Sequence, residues 1–189
     1  MTASLIFLTN APPTIHLGQR GAMQIDIWHG ETQRIGHLGL AQDDFNVLGS
    51  VSEDVVALSY VVGCGLPVPL TIGRHALGCG DTRRLARNGH FNVDIPIACL
   101  DDGKNEIVIT ARDVAGNEIS ERVMVYREAG HCNLPVFIDW SQVTNLQDVG
   151  QCVDGHWGLM GGGLRTMHTG YDRVFLIGET TWQDYEVTV

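Results

Sequence analysis

From Phe45 to Tyr126 the chain alternates apolar and polar residues in short runs that stop at turn chemistry. Side chains that change face at every step build strands, not helices. The clearest case is a hairpin: Ile107-Val108-Ile109-Thr110-Ala111 is a β-branched strand, Asp113 to Asn117 reverses it, and Arg122-Val123-Met124-Val125-Tyr126 returns. Phe91, Val93, Ile95 and Ile97 alternate as cleanly. Val56, Leu58, Tyr60 and Val62 share one face of the run from Val55 to Val62, and Phe45 to Val51 forms another strand. Pro69 to Ile72 predicts a short one. Met23 to Trp28 predicts the first strand, with Met23, Ile25 and Ile27 on one face and Gln24, Asp26 and Trp28 on the other. Gln33 to Gly36 begins its return. No window carries helical periodicity with caps. Turn signals recur roughly every ten residues, and the strands between Met23 and Tyr126 predict an antiparallel sandwich.

Composition narrows the partners. The chain has 22 acidic and 12 basic residues, a formal net charge of −10, and no basic run. That excludes a nucleic-acid binder, whose affinity comes from neutralising phosphates, and an anionic membrane surface. No apolar run reaches the roughly 18 residues that cross a bilayer, so no direct membrane insertion is expected. Leu5-Ile6-Phe7-Leu8 has no basic flank and does not read as a signal peptide. Residues 1–21 lack periodicity and are stiffened by Pro12-Pro13, which predicts an extended N-terminal arm. Residues 22–127 form the sandwich. Glu128 to Asn133 reads as a linker, and residues 128–189 as a second β region that turns at Gly161-Gly162-Gly163 and ends on an alternating strand from Asp184 to Val189.

Two resemblances follow. Phe45 to Ser52, Leu58-Ser59-Tyr60, Gly89 to Ile95, and Asn105 to Asn117 with its Ala-x-Asp-x-x-Gly-Asn ending resemble bacterial Ig-like or cadherin-like modules. Asp139-Trp140, Gln147-Asp148-Val149, Val153 to Trp157, Gly170 to Gly178 and Trp182 to Val187 resemble the opening strands of a LamG (concanavalin-like) jelly roll. The implied fold is all-β: an Ig-like antiparallel β-sandwich followed by a partial jelly roll or extra β layer. The implied location is extracellular or at the cell surface. A tail too short for a whole jelly roll leaves an open edge for a partner, another copy or the sandwich to complete.

The residues offer little reaction chemistry. The histidines (His16, His29, His37, His75, His90, His131, His156 and His168) form no i, i+2 or i, i+4 pair and read as solvated or locally bonded, with no metal site. Asp43-Asp44, Glu53-Asp54 and Asp101-Asp102 sit in turn signals. Loop carboxylates leave structural calcium as the one ion to consider. Asp113 with Asn117 reads as a turn lock, Asp172 with Arg173 as an ion pair, and Arg83-Arg84 with Arg87 as a solvated basic spot. Of five cysteines, Cys64 with Cys79 and Cys132 with Cys152 flank loops and could pair, leaving Cys99; the alternative is five buried free thiols. No nucleophile elbow, P-loop or dinucleotide motif occurs. The tail is rich in aromatics, which serve as core or as stacking surfaces. Trp157, Tyr171, Trp182 and Tyr185 are the candidate ligand-binding residues.

The sequence thus predicts a non-enzymatic binding or scaffolding protein, without a catalytic residue or cofactor, for a glycan or protein partner. The alternative is an accessory subunit of a larger assembly, or an oligomer, docking through its Val187-Thr188-Val189 edge or N-terminal arm. A two-carboxylate glycoside hydrolase ranks third.

Overall fold

The structure is a computed structural model and describes residues 22–73, 84, 85 and 87–188. It is all-β. Eight strands make a sandwich: β1 (Ile25–Ile27), β2 (Thr32–Ile35), β3 (Asp44–Val51), β4 (Val55–Val62), β5 (Val68–Leu70), β6 (His90–Pro96), β7 (Gly103–Asp113) and β8 (Glu118–Arg127). One sheet has the order β1-β3-β6 and the other β2-β8-β7-β4-β5. Their inner faces close on Phe45, Val47, Phe91, Val93, Ile95, Ile107, Ile109, Val123 and Val125, each at most 3 % exposed. Among the described residues no helix is long and apolar enough to cross a membrane.

The alternation of Phe91, Val93, Ile95 and Ile97 holds, and all four side chains are buried. The β7–β8 hairpin forms where its residues place it. Asp113 Oδ1 accepts from the amides of Ala115 (2.8 Å) and Asn117 (2.9 Å), while Asn117 Nδ2 donates to Oδ2 (2.8 Å).

Three expectations change. The return over Gln33 to Gly36 does not fold back on β1. His29 (φ 64°) and Gly30 (φ 91°) are left-handed and swing the chain into the other sheet, where β2 runs parallel to β8. The sandwich is therefore not purely antiparallel. In β4 a register shift between Val55 and Ala57 buries Val55 with Leu58 and leaves Val56 49 % exposed. A bulge moves one residue off its face. The alternating segment from Asp184 to Thr188 forms no strand, since no neighbouring strand pairs with it there and Asp184 is left-handed. Val189 and the N-terminal arm lie outside the described residues.

The tail holds β9 (Gln151–Asp154), β10 (Trp157–Met160), β11 (Gly163–Thr166) and β12 (Val174–Leu176). β9 pairs with β12, and β10 with β11 across a two-residue turn at Gly161 (φ 61°) and Gly162 (φ 76°). Positive φ at both positions is what such a hairpin requires. The tail lies against the outer face of β3 and β6. Leu48, which points away from the sandwich core, is consequently only 2 % exposed.

Cys64, Cys99, Cys132 and Cys152 are free thiols, so the Cys132–Cys152 pairing is corrected. Cys64 and Cys99 are exposed, which also corrects the picture of uniformly buried thiols. Cys79 lies outside the described residues.

Candidate functional site

The chemistry-bearing residues gather at the seam between tail and sandwich. The sandwich side is polar: Asn46, Ser50, His90, Asn92 and Asp94 project outward from β3 and β6 between core residues. β9 brings Asp154 to this face. Its side chain, 9 % exposed, accepts from Arg84 Nε (2.5 Å) and Asn92 Nδ2 (2.7 Å). Arg84 also reaches Asp94 with two nitrogens, at 2.7 and 2.9 Å. Asp94 first, and Asp154 after it, holds the guanidinium firmly protonated despite its burial. Burial raises Asp154 above the ordinary carboxylate range, although Arg84 pulls the other way. Arg84 is therefore a structural link rather than part of a solvated spot; Arg83 lies outside the described residues. Among the described residues Arg173 forms no ion pair with Asp172, which corrects that expectation. It donates from Nη2 to the Arg84 carbonyl (2.7 Å) and packs over Gly155.

Beside this network three histidines pack on Trp28, which is 5 % exposed, and a fourth, His29, joins them through His156. His156 stacks on the indole (4.7 Å between ring centres, 10° between planes), and His90 meets it edge-on at 4.7 Å. His168 lies 5.8 Å from Trp28, 5.1 Å from His90 and 5.4 Å from His156. His29 lies 5.8 Å from His156, and its Nε2 accepts from the Trp157 amide (3.2 Å), which requires that nitrogen unprotonated. Burial, then the neighbouring His156, lowers His29 to about 4. Burial, then His168 and Arg173, lowers His90 to about 4. His156 and His168 are lowered too, each chiefly by burial. The Nδ1 atoms of both are buried without a hydrogen-bond partner among the described residues. The scattered, solvated histidines expected from sequence are corrected for these four. His16 and His75 lie outside the described residues. Among the described residues no three His, Cys, Asp or Glu side chains converge to hold a metal ion.

A second seam contact comes from Gln147. Its Oε1 accepts from the Arg34 amide (2.6 Å), and its Nε2 donates to the carbonyls of His29 (3.0 Å) and Thr32 (3.3 Å). One side-chain amide thus pairs with the edge of β2 as a strand would.

The four candidate aromatics are not gathered at one place. Trp157 is half-buried; it donates to the Asp154 carbonyl (2.9 Å) and packs near Phe175 at 6.0 Å. Trp182 donates to the Cys132 carbonyl (2.5 Å) and meets Tyr185 edge-on at 5.5 Å. Tyr171 and Tyr185 are 58 % and 54 % exposed.

No protein-family model matches the chain, and no curated protein matches it. Among solved structures it is similar to the endo-β-1,4-mannanase from Thermotoga petrophila, at 13% identity and a TM-score of 0.42, over 59% of this chain and 21% of that one. The chain thus spans about a fifth of that protein's length. The expectation of a non-catalytic binding or scaffolding protein, with its accessory-subunit alternative, is corrected at this point. One solved structure to which it is weakly similar is that of an enzyme, and the comparisons lend a role without catalysis no support.

Proposed function

We propose that the chain contacts carbohydrate through the exposed aromatic rings of its tail, carried on an Ig-like sandwich with LamG-like strands. Support for the Ig-like reading comes from the strand order, three against five, with β2 crossing from the side of β1 to pair with β8. The observation that carries the carbohydrate reading is the Trp182–Tyr185 pair. The Nε1 bond to Cys132 fixes the indole, and Tyr185 stands against it with half its surface in water. A ring held in place before binding loses little entropy when a sugar face stacks on it. The proposal assigns contact to these rings, and neither catalysis nor its absence.

Affinity electrophoresis in gels containing soluble mannans, xylans or β-glucans tests it. Retardation by at least one polysaccharide is expected. Tyr185→Ala weakens it about tenfold, equivalent to about 1.4 kcal/mol, while Tyr126→Ala on the sandwich leaves it unchanged. Migration unaffected by every polysaccharide, or equal retardation of wild type and Tyr185→Ala, removes the proposal.

A further inference from the structure

The imidazole cluster straddles two parts of the molecule. His29 follows β1 and His90 opens β6, so both belong to the sandwich. His156 lies between β9 and β10, and His168 follows β11, so both belong to the tail. His90 meets Trp28 within the sandwich, but the contacts of His156 and His168 with Trp28, of His29 with His156 and of His90 with His168 exist only because the tail is docked. We propose that this cluster is an acid-sensitive clasp: protonation of its imidazoles releases the tail from the sandwich while the sandwich core stays folded.

The argument begins with packing. Four rings within 6 Å of a neighbour cannot all carry charge at low cost in a site that burial has partly dried. His29 Nε2 is occupied by an incoming amide proton. A proton added at Nδ1 of His156 or His168 finds no acceptor among the described residues. Release frees all four rings to hydrate and to regain their ordinary pKa.

The surrounding charges mostly push the same way. Arg87 and Arg173 disfavour a charged His90 or His168. Asp26 favours a charged His156 and opposes them. Asp94 and Asp154 are engaged by Arg84. Asp154, with its raised pKa, takes up a proton in the docked form and so steadies it slightly at the acid end.

The sign follows from which form binds more protons. The docked rings have pKa values below the ordinary 6.5, down to about 4 for His29 and His90, so the released form binds more. Docking is therefore strongest above pH 6.5 and weakens as pH falls toward 4. It weakens by up to about tenfold per pH unit for each ring that takes up a proton. The sandwich has reason to survive this. Its core residues Val47, Val93, Ile107, Ile109, Val123 and Val125 come entirely from β3, β6, β7 and β8.

Hydrogen exchange on the full chain between pH 7.5 and 4.5, with rates divided by the intrinsic rate at each pH, reads the release. Protection in Gln151–Asp154 and Val174–Leu176 is expected to drop by about a hundredfold, while Ile107, Ile109, Val123 and Val125 keep theirs. His156→Phe retains a ring on Trp28 without a proton site and should move the release to lower pH. Unchanged tail protection, joint loss of tail and sandwich, or a release pH unmoved in His156→Phe overturns the proposal. Should that variant not fold, histidine NMR titration of the wild type decides. Rings still neutral at pH 5.5 in the docked protein support the clasp, and rings titrating at their ordinary 6.5 refute it.

Discussion

Replacing Gln147 by alanine tests how the tail is held. The Gln147 side chain makes two short hydrogen bonds and one long one to the edge of β2 and its preceding turn, at 2.6, 3.0 and 3.3 Å. Each is worth about 1 kcal/mol net. The site is partly exposed, so water replaces part of what is lost, and the long bond counts for less. The expected cost is about 2 kcal/mol, roughly a thirtyfold rise in local opening. The assay is exchange of the Arg34 amide, whose acceptor is the Gln147 Oε1. Gln147→Ala should exchange about thirtyfold faster there, with Val123 and Val125 unaffected. Gln147→Glu separates the two halves of the interaction. It keeps an acceptor for Arg34 but sets a carboxylate oxygen against the carbonyls of His29 and Thr32, so the seam should weaken while Arg34 keeps more protection than in the alanine variant. An Arg34 exchange rate unchanged in Gln147→Ala would refute the reasoning, because the amide would then be protected by something other than this side chain.

Two other substitutions probe different links. Gly49→Ala places a methyl against the Asp26 carbonyl and 2.5 Å from Cζ of Phe91, which forces β1 away from β3. A loss of about 3 kcal/mol in urea denaturation is expected, and a loss below about 0.5 kcal/mol would show that the pair of strands yields freely. Arg84→Met strands Asp154 at a site where, among the described residues, only Asn92 still donates to it; the expected loss is about 2–3 kcal/mol. Adding Asp154→Asn should recover part of it, and strictly additive losses in the double variant would mean that the pair is not coupled.

The sandwich was legible wherever structure is local. The β7–β8 hairpin shows in the sequence because Asp113 and Asn117 bond within their own turn and the strands on either side alternate. β6 shows for the same reason. Features that depend on distant residues do not show. The parallel pairing of β2 joins Thr32 to Met124, and no local pattern encodes a partner that far along the chain. The bulge after Val55 breaks an alternation that the side chains alone allow. Asp184 to Thr188 has strand composition but no neighbour to complete a ladder. The histidine cluster was invisible for a related reason. Spacing rules detect residues brought together within one helix or strand, whereas His29, His90, His156 and His168 meet through the docking of two regions. Trp28 carried the one usable signal: a large apolar ring on the face that alternation assigns to solvent.

That signal also explains why the seam is polar. In the tail, Leu146 and Val153 are the buried apolar residues found among those described after Arg127. So small a set cannot offset the entropy of ordering the whole segment. The tail therefore takes its order from the sandwich, through Asp154 on Arg84 and Asn92, Gln151 on the Asp44 carbonyl (3.0 Å) and Gln147 on β2. Hydrogen bonds and ion pairs of this kind exchange readily for water, unlike the core contacts between β3, β6, β7 and β8. Among the described residues the seam thus opens at lower cost than the sandwich core. Perturbations as different as a lost amide, a lost guanidinium and added protons should register first in the amides of the seam, in the order set by how many seam contacts each one removes.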